Sequence, residues 1–254
     1  MADAPKLVFG PFAAPSRGIL VVFCDDGLKF GPATLKLLGP TADLVQRAAK
    51  TERFTGKTGS SLDLIHPEGL KVARLAVVGL GKAADIAPRT FIKLGGAAMV
   101  KVPTAAAEVT IVAELPGGAM DAEQAADLAQ GARLRAYVFD RYKTKRKDED
   151  KAPAKRTVTI AVGDAAAVRR AYATREAING GVLMARDLVN EPANVLYPEE
   201  FARRVTALKK DGIDVEVLDI KAMKKLGMNA LLGVGQGSAR ESRVLVMRWK
   251  GGKK

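Results

Sequence analysis

Apolar residues along this chain form short continuous runs, and between these runs apolar and polar residues recur at helical spacing. Runs that lack polar positions are typical of strands buried on both faces. Their alternation with helical segments favours an α/β fold with a largely parallel sheet. The predicted strands are Lys6–Phe9, Ile19–Cys24, Arg74–Gly79, Val109–Glu114, Thr157–Val162, Asp214–Leu218 and Arg243–Trp249. The predicted helices are Thr41–Thr51, Arg89–Val102, Asp121–Phe139, Ala165–Val189, Pro198–Lys210 and Lys221–Leu226.

One predicted helix, Ala165–Val189, is unusually long and contains a glycine pair near its middle. Its apolar residues, from Val168 to Val189, lie near one stripe at helical spacing. Gly180 and Gly181 each cost about 1 kcal/mol relative to alanine in a helix interior. We therefore expect another element to pack closely against them. A helix of this length, following a charged segment, is a candidate connector between two lobes.

The segment Arg141–Arg156 holds eight basic and three acidic residues and almost no apolar side chain. A solvated surface loop is one interpretation of such a run. The other is a nucleic-acid contact, because Tyr137, Phe139 and Tyr142 lie nearby and aromatic rings stack on bases. Tyr137 and Phe139 also fall within a predicted helix, where burial is their commoner fate. The candidate phosphate contacts are Arg141, Lys143, Lys145, Arg146 and Lys147.

Composition and charge exclude several kinds of site. The chain has 254 residues with one cysteine, Cys24, and one histidine, His66, which excludes disulfide frameworks, Cys-based zinc sites and multi-histidine metal sites. We expect Cys24 in the core and His66 in a loop or partly buried. The formal net charge of +13 favours polyanionic partners. Apolar runs are far shorter than the ~20 residues that span a bilayer, and the N-terminus lacks a signal-peptide pattern, so we predict a soluble, cytoplasmic protein.

Glycine-rich segments suggest phosphate binding at two places, but each pattern is incomplete. Gly79 and Gly81 follow a predicted strand as in dinucleotide-binding turns, yet no acidic residue occurs about 20 positions later. The Gly56–Thr58 segment resembles the end of a P-loop, yet Thr51 stands where that motif requires glycine. We therefore predict structural turns at both places. A third segment, Gly233–Ser238, predicts a tight, buried packing loop.

Two segments in the last third of the chain resemble the leucyl aminopeptidase (cytosol aminopeptidase) family. The first, Asp187–Glu199, reads DLVNEPANVLYPE, and the second, Leu226–Ser238, reads LGMNALLGVGQGS and is followed by RVLV at 243–246. Both occur in the family's order and at its spacing. Looser matches at Phe54–Gly59 and Arg74–Lys82 extend the resemblance over essentially the whole chain.

This resemblance implies an N-terminal three-layer α/β domain similar to macro domains, a long connector helix, and the truncated start of an α/β aminopeptidase catalytic domain. We place these parts at residues 1–163, 164–190 and 191–254. The resemblance also implies that members of the family assemble as hexamers and release N-terminal residues, preferably leucine, from peptides. Its two divalent metal ions (zinc, manganese or magnesium) bind the substrate amine, polarise the scissile carbonyl and generate hydroxide.

The sequence departs from the family in the segments that hold these metals. The implied ligands belong to a Lys-Gly…Asp-Thr-Gly-Gly segment and an Asn-Thr-Asp-Ala-Glu-Gly-Arg segment beyond the strand that corresponds to Arg243–Trp249. Neither occurs in this sequence, so no catalytic or metal-binding residue is assigned. We expect no bound metal and no peptidase activity from this chain alone. A smaller departure is Tyr197, where the family has a Thr or Ser helix cap worth about 1 kcal/mol.

Two other functions remain open. A macro-like domain with the basic segment Arg141–Arg156 fits a non-catalytic module that binds nucleic acid or an ADP-ribose-like ligand. The second alternative is that the chain has no catalytic or nucleic-acid-binding function and serves only in assembly. Arg243–Trp249 would then lack a neighbouring strand, and its unpaired edge would favour self-association. We expect residues 1–163 to be better ordered than residues 193–254 in that case.

Overall fold

The computed structural model describes residues 5–82, 85, 90–145, 153 and 155–252. Its contacts divide the chain into a first unit, residues 1–185, and a second unit, residues 186–254. This division falls inside one long helix, so the predicted boundaries at 163/164 and 190/191 stay predictions. In the described part of the chain, none of the helices combines the length and the apolar character needed to cross a bilayer.

Strands and helices alternate along most of the described chain. The strands are β1 (Lys6–Gly10), β2 (Ile19–Cys24), β3 (Ser61–Ile65), β4 (Arg74–Gly79), β5 (Glu108–Val112), β6 (Glu114–Leu115), β7 (Gly118–Ala119), β8 (Thr157–Ala161), β9 (Asp214–Leu218) and β10 (Val244–Arg248). The helices are α1 (Pro32–Leu38), α2 (Thr41–Thr51), α3 (Thr90–Val100), α4 (Ala122–Arg135), α5 (Ala165–Asn190), α6 (Pro198–Thr206), α7 (Ile220–Lys225) and α8 (Asn229–Gly235).

Six strands of the first unit form one sheet in the order β1-β8-β5-β2-β4-β3. All neighbouring strands are parallel except β3, which pairs antiparallel with β4 at the edge of the sheet. The sequence analysis did not predict β3, because Leu62, Asp63 and Leu64 alternate between apolar and polar in a strand that is only partly buried. The largely parallel sheet is confirmed for this unit.

Helices cover both faces of this sheet. Val21 and Phe23 of β2 belong to a core cluster with residues of α3, α4 and α5. Leu20, Val22 and Cys24, which point to the opposite face, belong to a second cluster with residues of α1 and α2. Because successive strand residues face opposite sides, an unbroken apolar strand can supply both cores. The three-layer α/β architecture is confirmed, and so is the core position of Cys24.

Helices α3 and α4 touch through their backbones at two glycines. A Cβ atom on Gly95 would lie 1.9 Å from the carbonyl oxygen of Leu128. One on Gly131 would lie 1.8 Å from the carbonyl oxygen of Ile92. Real Cβ atoms do not approach so closely, so the two helices pack at this distance only because both positions lack a side chain.

The long predicted helix is confirmed as α5, which extends over 26 residues. Its stripe is only partly covered: Val168 is buried, whereas Ile178 and Val189 are 51% and 85% exposed. A Cβ atom added at Gly180 or Gly181 would meet no atom within 4 Å. The expectation of close packing at the glycine pair is therefore wrong for the described chain, because the buried contacts of α5 lie elsewhere along it.

The second unit contains a two-stranded antiparallel sheet of β9 and β10. The predicted strand Arg243–Trp249 therefore has a neighbour, with Leu245 opposite Val217 and Met247 opposite Val215. Helices α6 and α7 contact β9. The predicted helix Pro198–Lys210 is shorter than expected, since α6 ends at Thr206 and continues as a 3₁₀ turn.

Candidate functional site

The two glycine segments that suggested phosphate binding pack against each other beside the carboxyl ends of β2 and β4. A Cβ atom on Gly79 would lie 2.4 Å from the carbonyl oxygen of Lys57, and one on Gly56 would lie 1.9 Å from that of Asp25. The backbone N–H of Gly81 donates to the carbonyl of Gly56 at 2.9 Å. These glycines therefore allow close backbone contact, which confirms the prediction of structural turns. Residues 83 and 84, which complete the dinucleotide-like pattern, lie outside the described residues.

A buried carboxylate holds the N-terminus of α1. Glu114, which is 2% exposed, accepts hydrogen bonds from the backbone N–H groups of Ala33 at 2.9 Å and Thr34 at 2.6 Å. A side chain on Gly31, the residue before the helix, would collide with this carboxylate. Negative charge at a helix N-terminus is stabilised by the unpaired N–H groups and the helix dipole. The sequence offers no local signal for this role of Glu114, because its partners are about 80 positions away along the chain.

The basic segment starts as an exposed turn after α4. This helix was predicted to extend to Phe139, but it ends at Arg135. The following run 137–139 combines aromatic and β-branched residues, which have lower helix propensity. The ring of Phe139 lies 5.9 Å from that of Tyr142, and the guanidinium of Arg141 lies 5.0 Å from the Phe139 centroid. These ring contacts hold the chain in the turn.

Three of the five candidate phosphate contacts lie on this turn. Arg141, Lys143 and Lys145 are exposed, and Tyr142 among them is 49% exposed. Arg146 and Lys147 lie outside the described residues. The turn thus presents cationic groups beside an accessible aromatic ring, which is the combination that single-stranded nucleic acids bind. Binding itself stays a prediction.

An ion-pair cluster in the second unit involves the segment that carried the family resemblance. The side chain of Glu191 is fully buried, and its carboxylate accepts a hydrogen bond from Arg204 at 3.0 Å. Arg204 also donates to Glu200 at 2.7 Å, and Arg203 binds the same carboxylate at 2.6 Å. Hydrogen bonds from Arg203, and next from Arg204, lower the pKa of Glu200 to about 2. The spacing of Glu200 and Arg204 at i and i+4 in a predicted helix was the available signal.

Helix α6 begins without a side-chain cap. Tyr197 precedes α6 and makes no capping hydrogen bond, as predicted, and the centre of its ring lies 3.9 Å from the Arg240 guanidinium instead.

The prediction of a tight, buried loop at Gly233–Ser238 is wrong. Residues 229–235 form α8, and Val234 is 90% exposed. Leu231 and Leu232, just before Gly233, favour the helix, and it continues through Gly233 and Gly235 although glycine has a low helix propensity.

The carboxylates of the described residues do not fit a two-metal centre. Within residues 5–82, 85, 90–145, 153 and 155–252, no three His, Cys, Asp or Glu side chains are grouped so that they could hold a metal ion. In the second unit, Glu191 and Glu200 bind Arg204, as described above. Asp214 and Glu216 bind Arg248 at 3.3 and 2.8 Å. Each of these acidic groups would have to exchange an arginine partner for a cation.

Comparison with protein families assigns both parts of the chain. Residues 21–146 match the N-terminal domain model of the cytosol aminopeptidase family, and residues 183–254 match its catalytic domain model. The chain belongs to the cytosol aminopeptidase family. The Glu191–Arg204 cluster and α8 lie within the catalytic-domain match, whereas the glycine turns and Glu114 lie within the N-terminal match.

Curated relatives named as probable cytosol aminopeptidases align with this chain along its whole length. Proteins named probable cytosol aminopeptidase from Rhodopseudomonas palustris strain TIE-1 and Bradyrhizobium sp. strain BTAi1 are 57% and 55% identical over 254 residues. The chain spans 51% of each, about half the length of these curated relatives. A mutant of tomato leucine aminopeptidase superimposes with a TM-score of 0.78 at 25% identity, covering 100% of this chain and 53% of that one. The bottromycin maturation enzyme BotP in complex with Mn gives 0.69 at 25% identity, covering 92% and 45%.

Proposed function

We propose that this chain supplies the scaffold part of a metal-dependent aminopeptidase that releases N-terminal residues, preferably leucine, from peptides. The observation that carries the proposal is the catalytic-domain match over residues 183–254, together with 57% identity to a curated relative along the whole chain. A manganese complex among the structural neighbours supports divalent metal ions as the cofactors of the complete enzyme, and the family resemblance implies that these are Mn or Zn. In such sites, paired cations activate water and polarise the scissile carbonyl.

We further propose that the 254 residues alone are inactive. The two implied metal-ligand segments do not occur in the sequence, and the described carboxylates of the second unit are bound to arginine. Hydroxide generation near neutral pH requires a metal held with an open coordination position. No described residue group offers this arrangement.

Hydrolysis of leucine p-nitroanilide in the presence of Mn²⁺ or Zn²⁺ tests both statements. The full-length Rhodopseudomonas palustris relative is assayed beside the purified chain under the same conditions. We expect turnover by the relative and none by the chain, and no metal retained stoichiometrically by the chain after dialysis. Turnover by the chain would contradict its inactivity, and an inactive relative would contradict the peptidase proposal.

For the complete enzyme we also propose a cytoplasmic location and assembly into hexamers. The names of the curated relatives support the location. The family resemblance described above supports the hexamer. Mass photometry of the full-length relative measures the subunit number directly, and a monomer at micromolar concentration would contradict the assembly proposal.

A second candidate function, nucleic-acid binding, is favoured by the exposed cations around Tyr142 and by the net charge of +13. Single-stranded DNA affinity is measured by fluorescence anisotropy at several salt concentrations. In a K143E/K145E variant we expect weaker binding and a shallower salt dependence, because about two phosphate contacts are lost. A K209E/K210E variant changes the charge equally at exposed positions of the second unit and serves as the control. Absence of binding at about 50 mM salt would remove this function.

A further inference from the structure

Strand β3 forms an open edge of the six-stranded sheet in the first unit. It pairs with β4 on one side, and among the described residues no strand pairs with its other side. On the β4 side, the carbonyl of Ser60 accepts a hydrogen bond and the N–H of His66 donates one, each at 2.9 Å. In an antiparallel pair, every second residue bonds to the neighbouring strand. The N–H and C=O groups of Ser61, Asp63 and Ile65 therefore point outward from the edge.

This edge lacks the features that usually protect an edge strand. Natural proteins protect such edges with lysine, proline, a bulge or a covering segment. The sequence of β3, SLDLI, has neither lysine nor proline, and its register with β4 is continuous. Its one charged residue, Asp63, lies 3.8 Å from the guanidinium of Arg74, and Ile65 is 59% exposed. The edge is therefore suited to pairing with an added strand.

A groove of about 600 Å³ lies between β3 and the C-terminal end of α2; we call it the β3 groove. One wall includes Leu62 and Leu64 together with Ser61 and Asp63. Because alternate strand residues point to opposite faces of a sheet, a groove lined by both pairs lies along the edge of the strand. The other wall is formed by the end of α2 and the residues that follow it. A groove between an edge strand and a helix can hold an extended peptide through its main chain and its alternate side chains.

Arg53 lines the β3 groove with its backbone in a strained conformation. It follows Glu52, the C-cap of α2, and its φ of 53° is in the left-handed region that glycine usually adopts at this position. The N–H of Phe54 donates to the carbonyl of Ala49 at 2.9 Å, which is the hydrogen bond that closes such a helix end. The side chain of Arg53 is exposed, and no carboxylate of the described residues pairs with it. An arginine held where glycine would be unstrained indicates a role for its guanidinium.

Charge decides which partner fits the β3 groove. Residues 47–74, which include both walls of the groove, carry six Lys and Arg against three Asp and Glu, a formal net charge of +3. Of the two carboxylates that line the groove, Asp63 contacts Arg74 and Glu52 is next to Arg53 in the chain. A second copy of the chain carries the same positive charge and would be repelled. A segment that carries carboxylates would be attracted.

We propose that the β3 groove binds an extended, carboxylate-bearing peptide segment of another protein as an added strand of the sheet. The outward N–H and C=O groups of Ser61, Asp63 and Ile65 pair with the main chain of this segment. Its alternate apolar side chains enter the groove beside Leu64, and Arg53 binds its carboxylate through charge-assisted hydrogen bonds. The inference goes beyond the proposed peptidase function and does not rest on it.

The test measures fluorescence anisotropy of a labelled peptide, Glu-Val-Thr-Val-Thr-Glu, titrated with the 254-residue chain. This probe alternates apolar and polar residues and has a carboxylate at each end. We expect a Kd of about 100 µM or tighter, as a short added strand can provide. The control peptide has the same sequence with every internal peptide nitrogen methylated, so it keeps its charge but cannot donate main-chain hydrogen bonds. We expect it to bind about tenfold more weakly or worse.

Variants of the chain test the role of Arg53. R53Q should weaken binding of the probe about threefold or more, because it removes the charge that holds the carboxylate. R47Q removes an equal charge from an exposed position of α2 outside the groove and should bind like the unmodified chain. R53G should weaken binding as R53Q does, yet raise the thermal midpoint by about 2–4 °C, because glycine adopts the left-handed conformation without strain. Loss of binding in a more stable protein cannot result from unfolding.

Four results would overturn the inference. The first is no binding of the probe at about 100 µM chain. The second is equal binding of the methylated peptide, which would show that charge alone attracts the probe. The third is unchanged binding by R53Q and R53G. The fourth is self-association of the chain that excess probe reverses in analytical ultracentrifugation, because a second copy would then be the occupant.

Discussion

Strands β2 and β10 have similar apolar sequences, ILVVFC and VLVMR, and opposite environments. All six residues of β2 are buried, whereas no residue of β10 is. The difference comes from what surrounds each strand. Strand β2 has a neighbour on both sides and helices on both faces, while in the described part of the chain β10 pairs with one strand, β9. An apolar strand sequence thus indicates a strand but does not establish that it is covered.

The two units also differ in how their helices are fixed. In the first unit, α3 and α4 meet through glycine backbones in an apolar layer. In the second unit, α6 is tied to the preceding segment by the buried ion pair of Arg204 and Glu191. Adding an atom at the glycine contact of α3 with α4 forces the helices apart. Removing one partner of the buried ion pair at α6 leaves a charge with fewer contacts. Variants of each kind therefore test the comparison.

The largest effect is expected at the contact of α3 with α4. Gly95→Ala places a methyl group 1.9 Å from a carbonyl oxygen, so the helices must move apart, and we expect a loss of about 3 kcal/mol in the free energy of unfolding. Gly96→Ala, one residue further along α3, meets no atom within 4 Å. This control should stabilise the protein by about 0.5–1 kcal/mol, as alanine does in helices. Urea denaturation measures both, and equal effects would contradict the close contact.

A smaller effect is expected in the second unit for Arg204→Gln. This change removes the charge and the hydrogen bond that Arg204 gives to the buried carboxylate of Glu191, and we expect a loss of about 2 kcal/mol in the free energy of unfolding. The neighbouring Arg203→Gln removes an equal charge, but Arg203 is 72% exposed and binds only the outer Glu200 in this cluster. We expect little change there. Hydrogen exchange of α6 amides reports the difference, and similar losses from both variants would show that burial of Glu191 is not the cause.

Removing the carboxylate charge at α1 should cost less. Glu114→Gln keeps the shape but weakens two hydrogen bonds from helix N–H groups, and we expect a loss of about 1–2 kcal/mol. The control is Glu108→Gln at an exposed ion pair with Arg17, where we expect no measurable change. Thermal unfolding of the three proteins gives the comparison. An unaffected Glu114→Gln variant would exclude the carboxylate as the helix cap.

The smallest effect concerns pH. The pKa of Glu200 is lowered from an ordinary 4.5 to about 2, chiefly by Arg203 and then by Arg204. A carboxylate with a lowered pKa stabilises the fold above its unfolded value, and this contribution is lost as pH falls from about 4.5 towards 2. Carboxyl-carbon NMR titration should find the low pKa, and Arg203→Gln should raise it. A titration midpoint near 4.5 in the unmodified chain would contradict the ion-pair cluster.

Much of the fold was predictable because strands buried on both faces leave unbroken apolar runs, as in β2 and β4. The misses have physical causes. Strand β3 alternates because Leu62 and Leu64 face the core while Asp63 and Ile65 face solvent, and α1 has only seven residues. Helix α4 ends at Arg135, before the run of aromatic and β-branched residues at 137–139, whose helix propensity is lower.

The candidate site also combines features that the sequence predicts with features that it does not. The exposed turn with Arg141, Lys143 and Lys145 was visible as a run of charge, since local composition determines solvation. The buried partners of Glu114 and Glu191 were not visible, because tertiary contacts bring them together. The family itself was apparent from the segment Asp187–Glu199, and the matching family models confirm it. Periodicity alone would not have found it.

The glycine turns at Gly56 and Gly79 have a consequence for interpreting sequences of this kind. Hydrogen is the largest substituent that these positions accept, because carbonyl groups from other segments occupy the adjoining space. Steric exclusion and anion recognition thus impose the same residue at the same spacing. A packed turn differs from a ligand-binding loop only in the atoms that lie next to each glycine α-carbon. In a packed turn these atoms belong to another backbone segment, and in a binding loop they belong to the ligand.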